Sequence, residues 1–210
     1  MREILLVLEG YGDVQAAPVL VRRVLGELHG IFPSTIETHR RGGLAHLGAN
    51  DWAHFRRFLL TAFTEHMPVL WMMDNDNGIC ARTLLQEMYK HAQSVGIQQR
   101  LAFCFWYREY ETMFLYDPEG VSRKLGIQNF SVPERPDNLR ASKEFISRAM
   151  PSGYAYKETI NQSQLSAVID LALVRSRYKS FQHFERALRW LASDNIPDIY
   201  PLVVSTSPRI

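Results

Sequence analysis

The chain has 210 residues, 46% of them apolar and 22% charged, and 24 Lys plus Arg stand against 22 Asp plus Glu for a formal net charge of +2. That composition supports a sizeable core and excludes a disordered chain, while the charge balance alone demands no polyanionic partner. No apolar run approaches the roughly 20 residues of a membrane span.

The N-terminus does not read as a secretory leader, because Arg2-Glu3 and Glu9-Gly10 bracket only the short run Ile4–Leu8. Cys80 and Cys104 make neither a disulfide framework nor a zinc site. The expectation is a cytoplasmic protein with no membrane association.

Ile4–Leu8 predicts a strand buried on both faces. Val14–Leu28 has apolar residues at spacings of three and four and predicts a helix, followed by a weaker strand at Thr35–Thr38. Asn50 can cap a helix whose stripe is Trp52, Phe55, Leu59, Leu60 and Phe63 and which ends before Pro68. Val69–Met73 is the next predicted strand, Arg82–Val95 the next helix and Leu101–Tyr107 a fourth strand. This β-α-β-α-β-α-β series predicts an α/β fold with a parallel sheet covered by helices.

From Pro118 to Pro151 only short helical stretches interrupt Gly120, Gly126, Pro133 and Pro136. Amphipathic helices are predicted at Gln164–Arg177 and Phe181–Leu191, with a short apolar run at Leu202–Val204. There is no repeat and no linker. A single domain over 1–210 is expected, with an α/β core over 1–117 and a mainly helical elaboration over 118–210.

Basic residues cluster twice. Arg175, Arg177, Lys179, Arg186 and Arg189 accompany a single acid, Glu185, between Leu171 and Trp190. Arg40, Arg41, Arg56 and Arg57 lie near His39, His46 and His54. Each cluster reads either as a phosphate-binding patch or as a solvated face.

The acids are more informative. In an open α/β sheet ligands bind beyond the C-terminal ends of the strands. The first strand runs into Glu9-Gly10-Tyr11-Gly12-Asp13, the third into Asp74-Asn75-Asp76-Asn77-Gly78, and the fourth into Arg108-Glu109-Tyr110-Glu111. Converging carboxylates repel one another unless a cation neutralises them, and oxygen donors select Mg²⁺ or Mn²⁺. Taken singly, each acid reads equally as a turn or cap residue. If the fourth strand continues through Glu109 and Glu111, their spacing of two places both on one face.

Together these residues resemble a known family. Glu9-Gly10 after the first strand and Asp74-x-Asp76 after a later one are similar to a TOPRIM domain, the topoisomerase–primase fold. Leu8-Glu9-Gly10-Tyr11-Gly12-Asp13, Pro18-Val19-Leu20, Arg22-Arg23, Asp74-Asn75-Asp76 and Arg108-Glu109-Tyr110-Glu111 through Phe114-Leu115 resemble a family of uncharacterised bacterial TOPRIM-like proteins. Tyr156-Lys157, Gln162 through Leu165 and Ser180-Phe181 extend the resemblance into the C-terminal half.

The resemblance implies a Rossmann-like TOPRIM domain with a Mg²⁺- or Mn²⁺-dependent site that cleaves nucleic-acid phosphodiesters. Glu9, Asp74, Asp76 and Glu111 would be catalytic. Glu9 would act as metal ligand or general base, Asp74 and Asp76 would hold the ion, and Asp13, Glu109 and Glu111 would complete the metal-binding set. Arg40, Arg41, Lys157, Arg175, Arg177 and Lys179 would contact DNA or RNA. Relatives of the overcoming-lysogenization-defect class work beside an ATPase in phage defence, which implies such a partner here.

The sequence also departs from that pattern. Gly78 falls one place earlier than in the Asp-x-Asp-x-x-Gly form of topoisomerases and primases, and neither a primase zinc module nor a strand-passage domain is present. Asp74-x-Asp76 is no EF-hand, because Leu85 stands where the bidentate Glu is needed. Gln15 replaces the third glycine of a dinucleotide fingerprint, and no Gly-Lys-Ser/Thr phosphate loop or Gly-x-Ser-x-Gly elbow occurs. Trp71, Phe103, Phe105 and Trp106 are expected in the core. Two further readings stay open, a non-catalytic regulatory subunit and an enzyme acting on a small phosphorylated molecule.

Overall fold

The structure is a computed structural model that describes residues 3–41, 52–62, 67–76, 80–96 and 101–193. The strands are β1 (Glu3–Leu8), β2 (Thr35–Arg40), β3 (Val69–Asn75) and β4 (Leu101–Tyr107). They form one sheet in the order β2-β1-β3-β4, and every ladder is parallel. This is the expected Rossmann-like α/β architecture.

Burial explains the strand sequences. β1, β3 and β4 are almost wholly buried runs of Leu, Val, Met and aromatic side chains, as a parallel sheet covered on both faces requires. β2 lies at an edge and is only partly covered, which explains its polar sequence Thr-Ile-Glu-Thr-His-Arg. Trp71, Phe103, Phe105 and Trp106 are core residues; Trp71 lies 5.2 Å from Phe55 and 6.0 Å from Phe103 between ring centroids.

Helix α1 (Tyr11–His29) starts three residues before its predicted start and ends one beyond its predicted end. Gly30, at φ 64°, closes it in the left-handed conformation, and the Gly30 and Ile31 N–H groups donate to the Gly26 and Leu25 carbonyls. Helices α2 (Trp52–Ala62) and α3 (Ala81–Ser94) follow. Asn50, His46, Gly78 and Leu202–Val204 lie outside the described residues, as does the side chain of His54.

After β4 the backbone turns at once into a 3₁₀ helix, Tyr110–Tyr116. Helices α4 (Pro118–Leu125) and α5 (Ser142–Ala149) are the short stretches expected there. The single helix predicted over Gln164–Arg177 is instead a short α6 (Ser163–Ser166), which continues a π-helical turn (Glu158–Gln162), and a separate α7 (Leu171–Arg177).

Asp170 makes the break. Its side chain accepts the Leu173 N–H at 2.9 Å and caps α7, while its own N–H donates to Asp117 Oδ2 at 2.9 Å. Helix α8 (Lys179–Leu191) packs on β4, and the π turn and α6 pack on α1. The C-terminal half therefore reaches back over the first helix, directly beside the end of β1.

Candidate active site at the C-terminal sheet edge

Glu9 follows β1, and Asp74 is the penultimate residue of β3. Because β1 and β3 are hydrogen-bonded neighbours, Glu9 comes to lie beside Asp74, whose N–H donates to Glu9 Oε2 at 3.1 Å. Asp74 Oδ1 accepts the Tyr110 N–H at 2.9 Å, which anchors the start of the 3₁₀ helix to β3. Asp13 stands in the first turn of α1, where its Oδ2 accepts the Gly10 N–H at 2.8 Å and stabilises the helix start.

These acids lie within electrostatic reach of one another. The Asp74 carboxyl is pushed well above the usual range, first by burial and then by repulsion from Asp13, Glu111, Glu9 and Asp76. Burial likewise raises Asp13, against the Gly10 and Gln162 hydrogen bonds that favour its charged form. Glu111 is buried in the 3₁₀ helix and raised to about 8, chiefly by desolvation, with Asp13, Glu109 and Glu158 adding repulsion. Asp76 is exposed and raised less, with Arg108 and Lys143 opposing the shift.

Glu109 and Glu111 do not share a strand face. β4 ends at Tyr107, Arg108 turns the chain at φ 72°, and Asn75 pairs with Arg108 in an isolated antiparallel bridge. Glu111 then turns inward, where Tyr156 Oη donates to its Oε1 at 3.1 Å. Glu109 instead uses Oε2 to accept the Lys143 N–H at 3.0 Å in the first turn of α5. Its carboxyl is raised by burial and by nearby Asp76 and Glu144.

Lys143, Glu158, Gln162 and Gly12 complete the surroundings. Lys143 is ion-paired with Glu158, and its charge lowers the cost of ionising Asp13, Asp76 and Glu109. Gln162 donates Nε2–H to Asp13 Oδ1 at 2.8 Å. Buried Gly12 lets the π turn approach α1, because a Cβ there would lie 2.1 Å from Gln162 Oε1 and 2.8 Å from Glu158 Cβ. Glu158 leaves no signal in the sequence, since it belongs to a five-residue π turn without periodicity.

The basic residues are dispersed by the fold. Arg40 ends β2 and stacks over Tyr11, 4.0 Å from the ring centroid, at the same sheet edge as the acids. Arg41 stacks over Phe58 at 4.0 Å. Arg175 pairs with buried Glu185 at 2.9 Å, and Glu185 also meets His29 Nε2 at 2.9 Å, so this arginine has a structural partner. Arg177, Lys179 and Lys157 are exposed. Lys157, Lys143, Ser147 and Thr159 line a cavity of about 440 Å³ bordered by Tyr156 and Glu158.

Among the described residues no three acids, histidines or cysteines form a ready ligand set for a metal ion. The chemistry of the donors nonetheless fits a hard cation. Four other acids lie within electrostatic reach of Asp74, and their oxygen donors are of the kind that Mg²⁺ or Mn²⁺ takes.

No helix among the described residues is long and apolar enough to cross a membrane. No curated protein and no solved structure matches the sequence. A family model, Domain of unknown function (DUF4276), matches residues 8–189, and the chain belongs to that family.

Proposed function

We propose that the protein is a TOPRIM-type nuclease, dependent on Mg²⁺ or Mn²⁺, that hydrolyses nucleic-acid phosphodiesters in the bacterial cytoplasm as the effector of a phage-defence system with an ATPase partner. The convergence of Glu9, Asp13, Asp76 and Glu111 on Asp74 at the C-terminal edge of a parallel sheet carries this reading. The sequence resemblance supplies the reaction class and the partner.

Glu9, Asp74 and Asp76 would hold the ion, with Asp13 and Glu111 within electrostatic reach of Asp74. The bound cation would neutralise the carboxylates and the charge that develops on the attacking and leaving oxygens. The protein's own groups set the geometry. The Asp74 N–H orients Glu9, the Tyr110 N–H orients Asp74, and Gln162 orients Asp13. Glu9 has one oxygen engaged by a backbone donor, a fixed orientation suited to accepting a proton from water.

The test is cleavage of labelled DNA and RNA with Mg²⁺ or Mn²⁺, with EDTA as control and with the ATPase partner where one is encoded nearby. Asp76→Ala should remove nearly all cleavage with the fold intact, because Asp76 is exposed and its loss opens no core cavity. Full activity in an Asp76→Ala, Glu9→Ala double variant would discard this site and leave the non-catalytic subunit.

A further inference from the structure

The acids occupy the middle of the sheet edge, and an exposed tyrosine stands at each end. Tyr11 is the first residue of α1, two positions after Glu9, and is 67% exposed with the Arg40 guanidinium over its ring. Tyr107 is the last residue of β4, at the opposite side of the sheet, and is 41% exposed. Arg108 lies 5.1 Å from its ring centroid and donates to the Asp76 carbonyl at 3.3 Å. The two ends are therefore alike, each an accessible aromatic ring attended by an arginine.

Tyr107 is firmly held. Its N–H donates to Ser180 Oγ at 3.1 Å, and its carbonyl accepts Tyr178 Oη–H at 3.1 Å. Lys179, exposed, sits between these two anchoring residues. Arg108 adopts φ 72°, a conformation uncommon for a residue with a side chain and one that clusters at functional sites. The tyrosines Tyr110, Tyr116 and Tyr178 are by contrast buried in the core.

Three strand spacings of about 4.8 Å separate β2 from β4, so the edge is about 14 Å across. Cations lie at its ends and carboxylates at its centre. A phosphate backbone crossing it meets attraction at Arg40, Arg108 and Lys179 on either side of the central carboxylates. Phosphate contacts alone require no aromatic rings. Exposed rings at both ends suit unpaired bases, whose faces are free, whereas a duplex keeps its base faces stacked inside.

We infer that this edge binds single-stranded nucleic acid, with bases stacked on Tyr11 and Tyr107 and phosphates on Arg40, Arg108 and Lys179. The inference rests on the nuclease reading and assigns its substrate class. Binding should depend on the ends of the edge, and cleavage on its centre.

The experiment is fluorescence anisotropy in EDTA, so that nothing is cut, with labelled oligothymidylate and oligouridylate of about 20 nucleotides and a blunt DNA duplex of equal length. Single strands should bind at least about ten-fold tighter than the duplex. Tyr11→Leu and Tyr107→Leu, which keep apolar bulk without an aromatic face, should each weaken single-strand binding about five-fold or more, while Tyr11→Phe retains it. Circular dichroism should show all variants folded, since both rings are exposed. The two single strands distinguish DNA from RNA. Equal binding of duplex, or unchanged binding by the Leu variants, overturns the stacking platform even if Mg²⁺-dependent cleavage is found. Tyrosine-dependent binding without cleavage keeps the platform and rejects the nuclease reading. Absence of any nucleic-acid binding overturns the platform, and the cleavage assay with Mg²⁺ or Mn²⁺ then decides the nuclease reading separately.

Discussion

The Asp74 N–H donates to Glu9 Oε2 over 3.1 Å, so the acid after β1 is held against the acid one residue before the end of β3, 65 residues further along the chain. A backbone donor fixes one carboxylate oxygen of Glu9 without neutralising either acid. The pair therefore stays close at the cost of repulsion that the rest of the site increases.

Asp74→Asn should accordingly stabilise the metal-free protein while ending its chemistry. Asn keeps the Oδ1 that accepts the Tyr110 N–H and removes the charge that four neighbours oppose. A gain of about 1 kcal/mol, or about 2–4 °C in Tm, is expected with EDTA present. Added Mg²⁺ should raise the Tm of the wild type and leave the variant nearly unmoved. Scanning calorimetry of both proteins checks this, and an undiminished Mg²⁺ shift in Asp74→Asn would count against Asp74 as a ligand.

The same carboxyls make stability depend on pH in an unusual direction. Glu111 holds its proton up to about 8 in the folded state, whereas an unfolded Glu loses it near 4.3. Between these values the folded state binds the extra proton, so metal-free stability should fall as pH rises from about 4.5 to 8 and level off above. Asp74 and Asp13, also raised, act in the same sense. Mg²⁺ competes with these protons, so its stabilising effect should grow over that range. Melting curves at several pH values, with EDTA or Mg²⁺, test both slopes. A metal-free Tm that climbs from pH 5 to 8 contradicts the burial of these acids.

Gly12→Ala probes the approach of the π turn to α1. The added methyl would lie 2.1 Å from Gln162 Oε1 and 3.1 Å from the Glu158 backbone carbon, so the side chain can yield but the backbone must shift. A loss of about 1–3 kcal/mol is expected, with Gln162 displaced from Asp13. Chemical denaturation gives the energy, and a wild-type midpoint would contradict the tight approach of the π turn to α1.

The two neighbouring arginines of α7 should behave differently. Arg175→Ala strips buried Glu185 of its guanidinium partner and should cost about 1–2 kcal/mol. Arg177→Ala removes an exposed charge, should leave stability within about 0.5 kcal/mol, and should reduce the salt dependence of any nucleic-acid binding by about one charge. Denaturation curves beside salt titrations separate the roles, and equal stability losses would undo the distinction.

The sheet was legible because a strand buried on both faces must be a short continuous apolar run, and β1, β3 and β4 are such runs. The acids after them were legible for the same reason: polar residues that interrupt a buried run mark where the strand emerges. What escaped depends on contacts that local sequence does not encode. The break before α7 is fixed by Asp117, 53 residues upstream of Asp170. The divergence of Glu109 and Glu111 follows from the backbone of Arg108, whose positive φ no spacing rule anticipates. Glu158 reaches the acids through the packing of the π turn onto α1, and Lys143 through the packing of α5 onto the 3₁₀ helix.

Asp13 and Gln162, joined by a hydrogen bond, stand 149 residues apart. At about 5–20 residues per second, a ribosome needs about 7–30 s to deliver the second after the first. Throughout that interval the nascent chain presents Glu9 and Asp13 without Gln162 to orient Asp13, and for most of it without Lys143 to moderate their repulsion. Translation itself thus acts as a timer: the pocket of acids is assembled only on chains synthesised past the π turn, and a product aborted earlier carries the acidic motif without its architecture.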